Sequence, residues 1–287
     1  MNHSLFQGTL VNSNRILYTP SEFAKSNLLH LQEVGELHAQ KPHTSSRSHL
    51  SSYLFFIVMN GSGTLTYNDN TYHLGVGSCV FIDCHKAYSH CSSEELWTLK
   101  WVHFYGSNMA AIYKKYTERG GSPCFQTTHG DEYSTLLTEL YQIANSSSHI
   151  KDMQIYEKLA TILKLLMEES WSPSHNSTKN PTGKRDLQDV KEYIDIHFAE
   201  KIMLEDLAEA FYINKYYLTR IFKEQFGLSI SHYILQQRIT HAKQLLRFTD
   251  HTIEQIGQMC GIPDANYFAR AFKKVEGIAP GEYRRRW

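Results

Sequence analysis

The chain has 287 residues, which is enough for about two domains with hydrophobic cores of their own. Its 41% hydrophobic and 20% charged residues are typical of a globular protein and exclude the fibrous and disordered classes. The formal net charge is zero, from 29 basic and 29 acidic residues, so attraction to nucleic acid has to come from local basic segments.

The chain lacks an apolar segment of membrane-spanning length, since no run approaches ~18 consecutive apolar residues. Residues 1–11 have neither the basic start nor the apolar stretch of a secretory signal. Five cysteines without CxxC spacing favour reduced thiols over a disulfide framework or a zinc ribbon. We therefore predict a cytoplasmic protein that does not contact a membrane.

Short aromatic and β-branched runs, broken by turn residues, make up most of residues 45–105. The turns Asn-Gly-Ser-Gly at 60–63 and Asn-Asp-Asn at 68–70 are typical of hairpins. The spacing of the runs predicts a β-barrel or β-sandwich, and we assign residues 1–130 to it.

Helical periodicity replaces this alternation in residues 131–171. Four apolar residues have the spacing of a coiled-coil seam, namely Ile155, Leu159, Ile162 and Leu166. Such a seam packs either against a second subunit or against the sheet of its own chain, and the sequence does not favour one over the other. Residues 131–171 are therefore predicted as a segment for dimerisation or packing.

Residues 171–183 are polar, contain two prolines and a glycine, and show no apolar period. They predict a linker at residues 172–184. Beyond it, residues 185–287 have helical patterns throughout. The predicted fold class is α+β with two domains: an N-terminal β-barrel with helices, and an all-α C-terminal domain with two helix-turn-helix units.

An internal repeat runs through the C-terminal domain. The sequence Arg-Ile-Phe-Lys at 220–223 recurs 50 positions later as Arg-Ala-Phe-Lys at 270–273. Upstream of these runs the offset is 49, which places the one-residue difference in the turn between two helices. Each unit is thus predicted to be a helix-turn-helix pair.

The second helix of each pair has one apolar face and one polar, basic face. Arginine bonds guanine, asparagine bonds adenine and lysine neutralises phosphates, so both polar faces suit the major groove of DNA. Residues 214–247 hold six basic residues against one acidic, and residues 264–287 hold six against three. The predicted DNA contacts are Tyr216, Thr219, Arg220 and Lys223 in the first pair, and Asn266, Tyr267, Arg270, Lys273 and Lys274 in the second.

The segment that connects the two pairs, residues 231–247, is amphipathic. As one helix of about 17 residues it spans ~25 Å, which would place the two DNA-facing helices about one DNA turn apart, ~34 Å. Thr252 and Gln255 predict a capping box in the second pair, whereas Met203 occupies the equivalent position in the first. Gly227 and Gly277 predict left-handed helix ends.

Residues 185–287 resemble the DNA-binding domain of the AraC/XylS family of bacterial transcription regulators. The resemblance is carried by Gly-Ile-Pro-Asp-Ala-Asn-Tyr-Phe-Ala-Arg-Ala-Phe-Lys-Lys at 261–274, by Gly277, Pro280 and Tyr283, and by Tyr-Leu-Thr-Arg-Ile-Phe-Lys at 217–223. It implies a transcription factor, most often an activator that touches RNA polymerase. Departures from the family pattern at Gly257 and Ile262 are expected to loosen the second pair.

The β region is similar to the cupin-like effector domain of sugar-responsive members of that family, through residues 61–65, 74–77 and 97–106. Trp97, Leu99, Trp101 and His103 alternate onto one strand face, and if that face lines the interior, a tryptophan there offers a flat apolar surface to a sugar ring. Packing in the core is the alternative for each aromatic residue. The predicted effector contacts are Arg47, Tyr88, His90, Trp101 and His103.

A metal-dependent cupin enzyme that carries a DNA-binding tail is a second hypothesis. Cys84, His85, His90 and Cys91 offer donors, but adjacent donors point to opposite faces of a strand and no carboxylate has cupin spacing. Neither an acid-base pair nor an activated nucleophile stands out. We therefore predict no catalysis, no metal and no cofactor.

The leading prediction is a homodimeric transcription activator that binds promoter DNA and RNA polymerase under the control of a small effector such as a sugar. A third hypothesis keeps DNA binding and makes the β domain a dimerisation scaffold without a ligand.

Overall fold

The computed structural model describes residues 9–170 and 187–286, so the predicted linker lies outside the described residues. The chain forms two compact units, residues 1–179 and 180–287, referred to below as the N-terminal and C-terminal domains.

The N-terminal domain begins with strands and ends with helices. Its elements in chain order are β1 (Val11–Leu17), α1 (Glu22–Asn27), β2 (His30–Ala39), β3 (Thr44–Arg47), β4 (Tyr53–Asn60), β5 (Gly63–Tyr67), β6 (Asn70–Leu74), β7 (Ser78–Asp83), β8 (Tyr88–Ser92), β9 (Thr98–Tyr105), α2 (Met109–Glu118), β10 (Cys124–Gln126), α3 (Gly130–Asn145) and α4 (Lys151–Glu169).

The strands form two antiparallel sheets. One has six strands in the order β1-β2-β9-β4-β7-β10, and the other has four in the order β3-β8-β5-β6. No ladder joins the two sheets within the described residues, so they make an open sandwich instead of a closed barrel. The predicted β5-β6 hairpin is present: Tyr67 pairs with Asn70, and Asn68 and Asp69 both have positive φ, as a tight two-residue turn requires.

The six-stranded sheet is covered on both faces. On β9, Val102 and Phe104 join a core with α3 and α4, whereas Leu99 and Trp101 belong to a second core between the sheets. The predicted seam on α4 is fully covered by its own domain, since Ile155, Leu159, Ile162 and Leu166 belong to the first of these cores. The seam therefore packs against the sheet and helices of its own chain, which is one of the two alternatives given for it.

The C-terminal domain is helical, as predicted. Its elements are α5 (Gln188–His197), α6 (Leu204–Ala210), α7 (Lys215–Phe226), α8 (Ile230–Phe248), α9 (Ile253–Met259), α10 (Ala265–Glu276) and α11 (Pro280–Arg286). The two helix-turn-helix pairs are α6-α7 and α9-α10. The second turn is one residue longer than the first, which is where the change of repeat offset predicted the extra residue.

Helix α8 connects the pairs and contributes to both. It has 19 residues, about 28 Å at 1.5 Å per residue, slightly longer than predicted. Tyr233, near its start, packs on Phe222 of α7, while Ala242 and Leu246, near its end, belong to the core of the second pair. The two pairs are therefore built on one shared helix.

The second pair is closely packed. A Cβ added at Gly257 would lie 2.8 Å from the carbonyl oxygen of Ile262, so the chain has closed around the glycine, and the side chain of Ile262 is itself buried. Both departures lie at closely packed positions, and the expectation that they loosen the pair stays a prediction. Among the described residues, no helix is long and apolar enough to cross a membrane.

Candidate functional site

A cavity of about 250 Å³ lies in the N-terminal domain, and all five predicted effector residues line it. Leu54, Phe56 and Leu99 form part of its apolar wall. A small cavity with apolar walls and a few polar groups is the usual form of a small-molecule site. The predicted residues are Arg47, Tyr88, His90, Trp101 and His103, and the structure brings them together.

Strand register explains how three strands supply these side chains. In the four-stranded sheet, Arg47 on β3 lies opposite Tyr88 on β8, and Ser45 lies opposite His90. On β9, Trp101 and His103 are two residues apart and therefore share a face. Trp97 does not join them at the cavity: it lies before β9, fully buried, with its ring 6.2 Å from that of Phe56. For Trp97 the core alternative is the correct one.

Two of the cavity histidines, His90 and His103, are uncharged at neutral pH. Burial, followed by nearby His43 and Arg47, lowers the pKa of His90 to about 4. Burial, followed by Arg47 and Arg15, also lowers the pKa of His103 to about 4. A neutral imidazole has one donor and one acceptor nitrogen, which is the combination that a sugar hydroxyl needs.

The two histidines differ in how their nitrogens are bonded. His103 Nδ1 lies 2.9 Å from Ser52 Oγ, which fixes the orientation of the ring. His90 Nδ1 is buried and has no hydrogen-bond partner among the described residues. Unpaired buried polar atoms are costly, so His90 is held in this position by the packing around it and not by its own hydrogen bonds.

An ion pair that the sequence pattern did not reveal also lines the cavity. Arg15 Nη1 on β1 lies 3.1 Å from Glu33 Oε1 on β2, and both side chains are largely covered. The Arg15 guanidinium carbon lies 5.0 Å from the centre of the Trp101 ring, close enough for a cation-π contact. The strand pattern could have indicated Glu33. It lies an even number of residues from Leu37 on β2, so both side chains point to the same face, and Leu37 also lines the cavity.

The four donors considered for a metal do not form a metal site. Cys84 is buried, whereas His85 is exposed and bonds Asp83 Oδ1 at 2.7 Å. Within residues 9–170 and 187–286, no three His, Cys, Asp or Glu side chains are placed to hold an ion.

In the C-terminal domain, α7 and α10 each bury one face and expose the other. Leu218, Ile221 and Phe222 are buried on α7, and Phe268 and Phe272 are buried on α10. The polar N-cap side chains Asn214 and Asp264 accept hydrogen bonds from the first-turn amides. All nine predicted DNA contacts are exposed: Tyr216, Thr219, Arg220, Lys223, Asn266, Tyr267, Arg270, Lys273 and Lys274.

The exposed charges differ between the two helices. Arg220 Nη1 lies 3.9 Å from Glu224 Oε1, and its guanidinium lies 5.6 Å from the centre of the Tyr217 ring. Arg270 bonds only the carbonyl oxygen of Asn266, at 3.3 Å, and has no carboxylate partner in the described part of the chain.

Some basic residues that raised the local charge count have structural partners instead. Arg238 donates to the carbonyl oxygens of Phe198 and Glu200, both at 2.7 Å, and so ties α8 to the α5-α6 connection. Arg284 donates to the carbonyl oxygen of His251 at 2.7 Å. The basic surface is therefore smaller than the sequence suggests.

A sheet-rich domain with a polar cavity, followed by two helix-turn-helix pairs with exposed basic helices, defines the class of ligand-binding transcription regulators. Residues 30–163 match the model of the AraC-like ligand binding domain, and residues 207–286 match that of a helix-turn-helix domain. The chain belongs to the AraC family of DNA-binding transcription regulators.

Curated relatives align over most of the chain. The Msm operon regulatory protein of Streptococcus mutans is 26% identical over 274 residues, which cover 94% of this chain and 98% of that protein. The lactose operon transcription activator of Staphylococcus xylosus is 26% identical over 234 residues, 79% of this chain and 82% of that protein. Among solved structures, the C-terminal domain of AraT, a response regulator from Geobacillus stearothermophilus, is 33% identical, with a TM-score of 0.35 over 35% of this chain and 84% of that chain.

Proposed function

We propose that this regulator is a transcription activator whose effector is a carbohydrate bound in the cavity of the N-terminal domain. The observation that carries the proposal is the cavity itself, where an aromatic wall at Trp101, two neutral histidines and the Arg15-Glu33 pair border a volume of about 250 Å³. Aromatic walls pack on the apolar faces of sugar rings, and the polar groups bond hydroxyls. The name of the lactose operon relative supports the same ligand class.

Thermal stabilisation of the full chain by a panel of mono- and disaccharides tests this proposal. A ligand that binds only the folded state raises the melting temperature, and the rise continues with the logarithm of the ligand concentration above its Kd. We expect at least one sugar to stabilise the wild type and to lose this effect in His103→Gln. His73→Gln, which changes an exposed histidine of the same domain, is the matched control and should respond like the wild type. Stabilisation by no sugar would favour the scaffold hypothesis.

We further propose that the exposed faces of α7 and α10 contact promoter DNA through the nine residues named above. Arg220, Asn266 and Arg270 would contact base edges, whereas Lys223 and Lys273 would contact phosphates. Lys223→Ala and Lys273→Ala should each weaken binding to all sequences and reduce the salt slope by about 1. Unchanged salt slopes in both variants would contradict the phosphate assignment.

A homodimer is proposed with a surface other than the predicted seam, because the seam is buried. The first turns of α4 leave Ile150, Met153 and Tyr156 exposed along one stripe, which a second copy would cover. Sedimentation of Met153→Glu should show loss of the dimer. Met259→Glu introduces the same charge at an exposed methionine of the C-terminal domain and should leave the dimer intact.

Activation would take place in the cytoplasm through contact with RNA polymerase. In vitro transcription from a selected operator, with and without the stabilising sugar, tests this step. Sugar-dependent stimulation supports an activator, and sugar-relieved inhibition would make the protein a repressor.

A further inference from the structure

One arginine of the cavity lacks an acidic partner. Glu33 already pairs with Arg15 on the six-stranded sheet. Arg47, on the facing four-stranded sheet, bonds only the carbonyl oxygen of the adjacent Ser46, at 2.9 Å, and no carboxylate oxygen of the described residues lies within 4.0 Å of its guanidinium. One positive charge at the cavity is therefore uncompensated.

The groups around Arg47 would complete an anion site. Tyr88 lies directly opposite it in the β3-β8 ladder, and His90, two residues further along β8, lines the same cavity. Burial raises the pKa of Tyr88, and its hydroxyl is already hydrogen-bonded with the buried Cys84 thiol, so Tyr88 lines the site as an uncharged wall and not as a free donor. A guanidinium binds carboxylate or phosphate oxygens through two parallel hydrogen bonds.

Neither histidine changes the sign of this charge. His90 and His103 are neutral at pH 7, and the arginines and carboxylates that line the cavity, with His43 as its third histidine, are Arg15, Arg47 and Glu33. Arg47 is exposed and stays hydrated when a neutral sugar binds, whereas an anionic group would gain a charge-assisted contact with it.

The size of the cavity limits the ligand to about one ring. About 250 Å³ lies just below the ~300 to 1,000 Å³ that is usual for drug-sized ligands. We propose that the effector is a single sugar ring carrying one anionic group, a phosphate or a carboxylate, which Arg47 binds while the ring lies against Trp101. This inference rests on the proposed carbohydrate function and specifies its ligand class.

Matched sets of neutral and anionic sugars test the inference on the full chain. Suitable probes are glucose, glucose 6-phosphate and glucuronate; galactose, galactose 6-phosphate and galacturonate; and ribose with ribose 5-phosphate. Inorganic phosphate alone reports on the anion without the ring. Binding is screened by thermal shift and quantified by calorimetry at constant ionic strength.

At least one anionic sugar should bind about tenfold or more tightly than its neutral parent, which corresponds to one charge-assisted hydrogen-bonded contact. Whether the phosphate or the uronate member binds then identifies the anion. Arg47→Gln should abolish the difference between the anionic sugar and its parent. Lys41→Gln removes an equal charge from an exposed side chain that does not line the cavity, and should preserve the difference.

Three results would overturn the inference. If a neutral sugar binds at least as tightly as all its anionic derivatives, the anion site is wrong while the carbohydrate function stands. If Arg47→Gln and Lys41→Gln weaken binding equally, the contribution is one of general surface charge. If no sugar of either kind binds, the carbohydrate function itself fails. Arg47 is exposed, so the melting temperature of the ligand-free variant should match the wild type and exclude misfolding.

Discussion

The two helix-turn-helix pairs have equivalent core contacts but differ in their turns. Phe222 packs edge-on against Tyr233 with ring centres 5.6 Å apart, and Phe272 packs on Tyr283 at 5.5 Å, exactly 50 residues further along. In the turns, the equivalent left-handed positions hold Tyr212, which is 93% exposed, and Gly261, which faces backbone. The buried aromatic contacts are therefore the same in the two pairs, whereas the residues at the equivalent turn positions differ.

This difference predicts that the second pair is the more tightly built and the better charged for DNA. Its first helix has a complete capping box at Thr252, whereas Met203 provides no side-chain cap in the first pair. Its arginine, Arg270, has no carboxylate neighbour among the described residues, whereas Arg220 lies near Glu224.

The largest expected effect is that of Gly261→Ala. Gly261 has φ +75, and a Cβ there would collide with the carbonyl oxygen of Ala199, so backbone strain and overpacking add. We expect a loss of roughly 3 kcal/mol in the free energy of unfolding of the C-terminal domain, measured by chemical denaturation. Gly277→Ala is the control, because φ is +81 there but nothing lies within 4 Å of the added Cβ. Equal losses in both variants would show that the contact with Ala199 is unimportant.

Arginine substitutions in α7 and α10 rank next. Arg270→Ala and Arg220→Ala should each lose roughly 1 to 3 kcal/mol of affinity for an operator selected from random DNA by the wild type. The loss should be larger for Arg270, because Glu224 partly neutralises Arg220. Lys114→Ala, which changes an exposed lysine of the N-terminal domain, controls for net charge. A larger loss for Arg220 would reverse the ranking of the two pairs.

Helix capping should separate the pairs by a smaller amount. Thr252→Ala removes the capping box of α9 and should cost about 1 kcal/mol in unfolding free energy. Met203→Ala, at the equivalent position of α6, should cost much less because Met203 makes no side-chain cap. Similar losses at the two positions would mean that the capping box does not stabilise the second pair.

Much of the C-terminal domain could be predicted from the sequence because its signals are local. A repeat offset that changes from 50 to 49 located the longer turn, and glycines located the left-handed ends at Gly227 and Gly277. The exposed faces followed from helical period alone. The structural roles of Arg238 and Arg284 could not be predicted, because their carbonyl partners lie more than 30 residues away in sequence.

The cavity was predicted less completely because it is assembled from both sheets. Alternation on β9 indicated Trp101 and His103 and placed Trp97 on their side, where it lies in the core between the sheets and does not line the cavity. Arg15 and Glu33 were missed because pairing of β1 with β2, and of β2 with β9, is a long-range property. Alternation with a period of two predicts on which face of a sheet a side chain lies. It does not predict which residues of the other sheet lie opposite that side chain.

The smallest effect is expected at Tyr212, the counterpart of Gly261. Tyr212 has φ +52, in the region that β-carbon sterics disfavour, and its side chain is 93% exposed, so it gains almost no packing in return. Tyr212→Gly should therefore stabilise the C-terminal domain by up to about 1 kcal/mol, a gain reduced by the greater entropy of glycine in the unfolded chain. Chemical denaturation measures this gain in unfolding free energy. Tyr216→Gly, which places a glycine in helix α7 and should destabilise the domain, is measured in parallel as the control. A clear loss of stability in Tyr212→Gly would mean that the tyrosine makes contacts in solution, and the two turns would then be alike in depending on packing.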